Sequence, residues 1–305
     1  MLARFLTRGA LALAAVLALG CAASPITTDA ASDGGPPDDR PQVVASMNVI
    51  ADLAERIAGD RIEVTSLVPV GGDPHVHEPT PSDARTVADA DLLLANGVGL
   101  EPWFDSLAGD APVLRVAERL TVEVLDDEDG EPDPHLWMVP DNAAVYGEAI
   151  ADELAELDPD HAEDYQRAAE ELRAELAELD DELAERLAAV PDDRRILITP
   201  HDAYAYFADH YGFEVATIVG VSTEEEPSAA AVQRVIDLVR EREIPTVFVE
   251  FTVNPAVIER VATDAGAEVG EPLYGDSLGP PGSGADDYAG MLRANVEAIV
   301  GGLAD

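Results

Sequence analysis

Apolar and polar positions follow two different periods along this chain, and the pattern predicts alternating strands and helices. Short apolar runs such as residues 43–47 are typical of buried strands, and the segments after them carry apolar side chains three or four residues apart, which is typical of helices. Asn48 is placed to cap the first such helix. The alternation occurs in residues 42–157 and again in 192–305, which predicts an α/β protein of two similar lobes with mostly parallel sheets. Residues 22–41 have few large apolar side chains, so we expect a flexible linker there.

The longest helical pattern lies between the two lobes, in residues 158–191. Asp158 and Pro159 give it a start and Pro191 gives it an end. Its apolar stripe consists of Tyr165, Ala169, Leu172, Leu176, Leu179, Leu183, Leu187 and Val190. At about 1.5 Å per residue this helix would span roughly 48 Å, so we expect it to connect both lobes across a cleft. A coiled-coil dimer is the alternative for this stripe, but alanine dilutes the seam and we expect a monomer.

Charge narrows the possible partners. The 305 residues include 62 Asp and Glu but only 18 Arg and no Lys, for a net charge of −44. A nucleic acid would be repelled by this surface, so we exclude it as a partner. A cation is the natural ligand, although carboxylates spread over the whole chain also suit solubility or a salty habitat, since charges more than about 10 Å apart are largely screened at 0.1 M salt.

The first residues indicate export. Arg4 and Arg8 precede an apolar run that is too short for an ordinary membrane span, and Cys21 follows it directly. The residues before Cys21 resemble a bacterial lipobox, although Leu19 stands one position nearer the cysteine than is usual. We expect residues 1–21 to be a signal peptide, with Cys21 as a lipid anchor to the membrane. We expect the linker, both lobes and the long helix to lie outside the cytoplasm, at the cell surface or in the periplasm. Plain secretion or a retained N-terminal anchor is the alternative.

Histidines and an aspartate stand where predicted strands end. His75 and His135 each close an Asp-Pro-His tripeptide, His201 follows an apolar run, and Asp276 lies in a loop rich in glycine and proline. Open α/β sheets bind ligands at such strand ends. Neutral imidazole and carboxylate suit zinc, and four protein ligands are typical of a site that holds a metal without chemistry. His77 is a rival to His75, while His161 and His210 are assigned no function.

Longer motifs carry a resemblance to a known family. They are Asp73-Pro74-His75-Val76-His77-Glu78-Pro79-Thr80-Pro81-Ser82-Asp83, Asn96-Gly97-Val98-Gly99-Leu100-Glu101-Pro102-Trp103, Asp133-Pro134-His135-Leu136-Trp137, His201-Asp202-Ala203-Tyr204, Val249-Glu250 and Tyr274-Gly275-Asp276-Ser277-Leu278-Gly279. In this order they resemble the solute-binding proteins of bacterial zinc/manganese ABC transporters. The resemblance implies two α/β lobes bridged by a long helix, one divalent metal ion between them, and delivery of that ion to the membrane permease of an ABC importer. The implied ligands are His75, His135, His201 and Asp276.

The resemblance leaves the metal open between Zn²⁺ and Mn²⁺. Zinc members often carry a histidine-rich loop before the second ligand, but residues 125–132 contain no histidine. Manganese members commonly have a glutamate where this chain has His201, and the softer nitrogen donor favours zinc. The Asp276-Ser277-Leu278 motif resembles the manganese branch. We expect zinc in preference to manganese.

Two other functions fit a metal site of this composition. One is a zinc-dependent hydrolase or lyase, with Asp276 or Glu78 as the base, but an enzyme needs an open coordination position. The other is a surface adhesin in which the metal is structural. A cleft between two lobes suits reversible capture better, so we expect no enzymatic activity.

Overall fold

Short apolar strands form a parallel sheet in the N-terminal lobe. The computed structural model describes residues 40–127 and 130–304, so the predicted signal peptide, Cys21 and nearly all of the predicted linker lie outside the described residues. The strands are β1 (Gln42–Ala45), β2 (Glu63–Ser66), β3 (Leu92–Ala95) and β4 (Val113–Arg115). Their order is β2-β1-β3-β4, and the central strand pairs Val43 with Val64 on one side and with Leu92 on the other.

Helices cover this sheet and lead to the rest of the chain. They are α1 (Asn48–Ala58), α2 (Pro81–Ala88), α3 (Phe104–Ala108) and α4 (Pro140–Leu157). Helix α2 starts with a reciprocal capping box between Thr80 and Asp83, which fixes the end of the loop before it. Asn48 does not cap α1, contrary to the prediction: it is the first helical residue, and no side chain caps the helix.

The long helix is shorter than predicted. A separate 3-10 turn occupies Pro159–His161, and α5 runs over Ala162–Leu187. Its 26 residues span about 39 Å at the usual rise. The Asp158 side chain accepts hydrogen bonds from Tyr165 and His161, which stabilises the turn as a separate element. The predicted stripe is buried inside the chain, where α5 packs against α4, α1 and the last helix.

The C-terminal lobe repeats the strand-and-helix order. Its strands are β5 (Ile196–Thr199), β6 (Glu214–Thr217), β7 (Thr246–Val247) and β8 (Glu268–Val269), and its helices are α6 (Ala205–Tyr211), α7 (Ala229–Glu241), α8 (Ala256–Ala265) and α9 (Tyr288–Leu303). Strand β5 pairs parallel with β6, and β7 pairs parallel with β8. A backbone hydrogen bond from Phe248 N to Ile198 O joins the two pairs.

The apolar runs 246–251 and 267–273 predict two full strands, but β7 and β8 are much shorter. The parallel pairing resumes beyond them as an isolated bridge between Glu250 and Leu273. Pro272 lies in the gap and has no N–H to donate, which explains the interruption. The arrangement is nevertheless the expected one, α/β with two lobes and parallel strand pairing. No helix among residues 40–127 and 130–304 combines the length and apolarity needed to cross a membrane.

Candidate metal centre

The two Asp-Pro-His tripeptides form the same local turn. In each, the aspartate accepts a hydrogen bond from the backbone N–H of the histidine two residues later, at 2.9 Å from Asp73 to His75 and 2.8 Å from Asp133 to His135. Aspartate commonly makes such turns because its side chain reaches the backbone two residues on. The proline fixes the residue between them. The repeated tripeptide is therefore a device that presents an imidazole from a rigid loop.

His135 is oriented further through its ring. The same Asp133 Oδ1 that accepts from the His135 backbone also lies 2.8 Å from His135 Nδ1. A ring proton is thereby held on Nδ1, so Nε2, which lies 3.3 Å from His75 Nε2, is the atom that is left to bind a metal. The loop itself is tied to the sheet by Asn96, whose side chain donates to Pro134 O at 2.9 Å.

His201 has an equivalent partner in the C-terminal lobe. It follows β5, and its backbone N–H donates to Glu250 Oε1 at 3.0 Å. Glu250 Oε2 lies 2.7 Å from His201 Nδ1. Glu250 is 3% exposed, so its charge is directed at the imidazole rather than at water. His201 Nε2 is again the atom that faces the centre.

The structure brings all four predicted ligand residues together. Their ligand atoms lie within 4.8 Å of one another, and His75, His135, His201 and Asp276 are called the cluster below. The three His rings lie 5.3 to 5.8 Å apart between centroids. Asp276 faces all three, with carboxylate oxygens 3.1 Å from His201 Nε2, 3.3 Å from His135 Nε2 and 3.9 Å from His75 Nε2.

The cluster is buried, and its polar atoms lack ordinary partners. Three of its residues have no exposed surface, and His75 is 4% exposed. Neither oxygen of Asp276 accepts a hydrogen bond within the described residues, and the same holds for His201 Nε2. Buried polar atoms are rarely left without partners. A cation at the centre would satisfy these atoms together.

Charges shift the pKa values in the cluster. Burial lowers the pKa of His75 to about 3. Burial also opposes charge on His135, but Asp133 and Asp276 outweigh it and raise the pKa to about 9. For His201 the burial is likewise overcome, by Glu250 and Asp276, and the pKa is raised well above its usual value. Burial would raise the pKa of Asp276, but His201 and His135 hold it well below the usual range.

A small cavity lies beside the cluster and reaches His75. Its volume is about 110 Å³, and it is lined by His75, Val98, Gly99, Glu131, Pro132, Pro134, Val221, Ser222 and Glu225. These residues come from loops of both lobes. One hydrogen bond joins the two lobes next to this cavity: Thr223 Oγ1 donates to Asp73 Oδ2 at 2.6 Å.

The remaining histidines lie outside the cluster. His77 faces Asp83 at 3.4 Å and stacks edgewise on Trp103. His161 pairs with Asp158, and His210 pairs with Asp180. Within the described residues, the group of residues that could hold a metal ion contains His75 and not His77.

Sequence reasoning did not assign roles to Asp133 and Glu250. Asp133 was visible as part of a repeated tripeptide, and the geometry now gives that repeat a reason. The sequence gives a weaker indication of a role for Glu250, because a carboxylate stands there within an apolar run. A buried charge at such a position calls for a partner.

Known proteins resemble most of this chain. The profile of the family described as "Zinc-uptake complex component A periplasmic" matches residues 43–302. The "Manganese-binding lipoprotein MntA" of Halalkalibacterium halodurans is 37% identical over 292 residues, covering 95% of each chain. The "Iron-binding protein YfeA" of Yersinia pestis is 34% identical over 297 residues, covering 95% of this chain and 96% of that one.

Solved structures agree with this result. The "periplasmic zinc binding protein TroA from Treponema pallidum" has a TM-score of 0.83 and 31% identity, and the match covers 87% of this chain and 100% of that chain. A further sequence relative, the "Manganese ABC transporter substrate-binding lipoprotein PsaA" of Streptococcus mitis, is 32% identical over 275 residues, covering 86% of this chain and 89% of its own. These names include zinc, manganese and iron, and they describe binding proteins rather than enzymes. The chain therefore belongs to the family of metal-binding solute-binding proteins of ABC transporters.

Proposed function

We propose that this protein captures a divalent transition metal ion outside the cytoplasm, with zinc preferred to manganese, and delivers it to the membrane permease of an ABC importer. The observation that carries the proposal is the buried cluster, in which three imidazoles and one carboxylate converge within 4.8 Å. Both lobes supply donors, so an ion held there would bridge the cleft.

The proposed ligands are Nε2 of His75, His135 and His201, and the carboxylate of Asp276. Asp133 and Glu250 occupy the Nδ1 side of two of these rings, which leaves Nε2 to face the ion. Carboxylate partners of this kind fix the tautomer and strengthen the ligand.

The donor set supports zinc. Three nitrogen donors and one carboxylate match the four-coordinate preference of Zn²⁺, whereas Mn²⁺ favours sites richer in oxygen. Relatives named for manganese and iron are a reason to test the preference directly. Manganese is the alternative ion.

Elemental analysis and competition test the proposal. The protein is purified without added metal, its metal content is measured, and zinc and manganese then compete for the metal-free form. We expect zinc to displace manganese, and alanine at any cluster residue to weaken zinc binding strongly. His77→Ala is the matched control for His75→Ala. Undiminished affinity in His75→Ala, or preferential retention of manganese, would contradict the assignment.

The placement in the cell is part of the proposal. We infer that Cys21 is the lipidated first residue of a monomeric mature protein, with an N-terminal lobe at 42–157, a connecting segment at 158–191 that contains helix α5, and a C-terminal lobe at 192–305. The basic start, apolar run and cysteine support this, and so do relatives named lipoproteins. Mass spectrometry of the native N-terminus decides it, because an unmodified Cys21 would refute the anchor.

A further inference from the structure

The loop that carries Asp276 belongs to the C-terminal part of the chain but is bonded to the other lobe. Residues 275–284 are called the Asp276 loop. On one side of Asp276, Gly275 O accepts a hydrogen bond from Trp137 Nε1 at 3.0 Å. On the other side, Ser277 Oγ accepts from Gly71 N at 2.8 Å. Trp137 and Gly71 both lie in the N-terminal lobe.

Asn48 makes the central contacts to this loop. Its Nδ2 donates to Ser277 Oγ at 3.1 Å, and its Oδ1 accepts from Leu278 N at 2.7 Å. Nδ2 also lies 3.3 Å from Pro69 O, in the loop that leads to His75. Asn48 is 6% exposed and Ser277 is fully buried, so these bonds do not compete with water. One amide thus joins the loop of Asp276 to the loop of His75.

A second tie follows on the same helix. The first turns of α1 also carry Asp52, whose Oδ2 accepts from Tyr288 N at 3.0 Å. The Tyr288 hydroxyl donates to Trp137 O at 2.6 Å. The chain from Gly275 to the start of α9 is therefore attached to the N-terminal lobe at both ends.

His201 has a different attachment. Its backbone N–H and its ring face Glu250, and its carbonyl accepts from Thr199 Oγ1 at 2.9 Å. These partners belong to the C-terminal lobe. Hydrogen bonds therefore fasten the Asp276 loop to the N-terminal lobe and His201 to the C-terminal lobe, although both ligands come from the same half of the sequence.

We propose that Asn48 is a positioning residue for metal capture, holding Asp276 with His75 and His135 as a three-ligand half-site on the N-terminal lobe that His201 closes. The inference rests on the proposed function, since it assumes that the cluster binds the ion. An ion meeting the open protein would bind this half-site first. A local movement of the loop that carries His201 would then bring one further ligand, which is a smaller rearrangement than assembling two pairs.

The test compares zinc affinity and zinc dissociation in Asn48→Ala, Ser277→Ala and Asn295→Ala. Asn295 is the matched control: it is fully buried in the C-terminal lobe, and its side chain is hydrogen-bonded to Tyr274 N at 2.7 Å and Tyr274 O at 2.8 Å, directly before the Asp276 loop. We expect Asn48→Ala to weaken zinc binding about tenfold, as is usual for partners that orient ligands. Ser277→Ala should lose less, because Leu278 N keeps its acceptor. Asn295→Ala should lower the melting temperature of the metal-free protein while changing zinc affinity little.

A second measurement separates positioning from folding. In the His201→Ala background the half-site should still bind zinc, and Asn48→Ala should weaken that binding by the same factor as in the wild type. Equal affinity losses in Asn48→Ala and Asn295→Ala would overturn the inference. So would an Asn48 effect that disappears when His201 is removed. A wild-type protein that does not bind zinc would overturn the proposed function as well, whereas wild-type binding with unchanged affinity in Asn48→Ala would overturn this inference alone.

Discussion

Glu250→Gln should impair zinc binding more than Asp133→Asn, although each change removes one carboxylate charge beside a ligand histidine. Glu250 Oε1 accepts a hydrogen bond from the His201 backbone N–H, and Glu250 Oε2 makes an ion-pair contact with the His201 ring, 2.7 Å from Nδ1, without the geometry of a hydrogen bond. A glutamine has only one oxygen. If the glutamine oxygen faces the His201 ring, the NH₂ group faces the His201 backbone N–H, and two donors oppose each other. If the oxygen faces the backbone N–H, the NH₂ group faces Nδ1 and forces the ring proton onto Nε2, the atom that must bind the metal.

Asp133 presents a different geometry. A single oxygen, Oδ1, accepts from both the backbone and the ring of His135, and Oδ2 is buried without a hydrogen-bond partner. An asparagine at this position keeps its carbonyl at Oδ1 and places NH₂ at Oδ2. Both contacts to His135 survive, and so does the tautomer that frees Nε2. This variant loses charge without losing orientation.

The magnitude follows from the unsatisfied donor. A buried donor left without a partner costs about 1–3 kcal/mol, which corresponds to roughly 5- to 150-fold in affinity at about 1.4 kcal/mol per decade. Loss of a ligand-orienting partner typically costs about 10- to 100-fold, in agreement. We expect a loss in that range for Glu250→Gln, because its unpaired NH₂ group faces the ligand His201 itself. Asp133→Asn also places an NH₂ group at a buried position without a partner, that of Oδ2, but both hydrogen bonds to His135 remain. Its cost should lower the stability of the metal-free and metal-bound forms alike, so zinc affinity should fall less than about tenfold.

The assay is competition for zinc against a chromophoric chelator of known affinity at pH 7.5, with melting curves of the metal-free variants as the control for folding. Glu250→Ala gives a further comparison, because it removes the carboxylate without introducing a misplaced donor. Equal losses in Glu250→Gln and Asp133→Asn would show that charge, and not the orientation of the ring, sets the effect. A larger loss in Asp133→Asn would refute the reasoning.

Three further predictions concern pH, the cleft and motion. The pKa of His135 is raised to about 9 and that of His201 is also raised, so both rings hold protons at neutral pH that the metal must displace. Zinc affinity should therefore increase from pH 6 to pH 9, by up to about tenfold per pH unit for each displaced proton. Calorimetry in buffers of different ionisation enthalpy counts the protons, and affinity that is flat above pH 7 would contradict this. Thr223→Ala removes the hydrogen bond to Asp73 and should speed zinc dissociation severalfold in stopped-flow chelation, while Thr263→Ala, at an exposed position on α8, should not. Helix α5 has no internal glycine or proline, so solution scattering should show little lobe movement on metal loading, and a large closure would argue against it.

The sequence was informative where chemistry is local. The repeated Asp-Pro-His tripeptide, strand β5 before His201 and the stripe of α5 all depend on neighbours within a few residues. The expectation that a strand also leads to His135 was wrong, since the nearest preceding strand, β4, ends at Arg115. Asn48 shows the opposite case. Its position before a helical pattern suggested a cap, but its amide bonds residues 229 and 230 positions away, and no local pattern records such a contact. Glu250 is similar, since it lies 49 residues from His201.

Strand lengths were the other feature that local patterns did not determine. The apolar runs around Thr246 and Glu268 predicted full strands, yet regular pairing stops after two residues on each. Apolar character shows that a segment is buried, but a ladder also needs a donor at each pairing position, and Pro272 has none. The length of a buried apolar run therefore does not give the length of the strand that forms in it.

The contrast between the exterior and the cluster has a consequence for selectivity against common ions. The chain carries a net charge of −44, and hard cations such as Mg²⁺ and Ca²⁺ match a carboxylate exterior. The cluster offers three nitrogen donors and one carboxylate, with three of the four residues fully buried. Mg²⁺ keeps several of its waters and needs oxygen ligands at octahedral positions, and Ca²⁺ takes six to eight oxygens. Abundant alkaline-earth ions can thus associate with the surface carboxylates without occupying the cluster. Hard water should therefore change the rate at which a scarce transition metal ion reaches the protein, but not which ion the cluster binds.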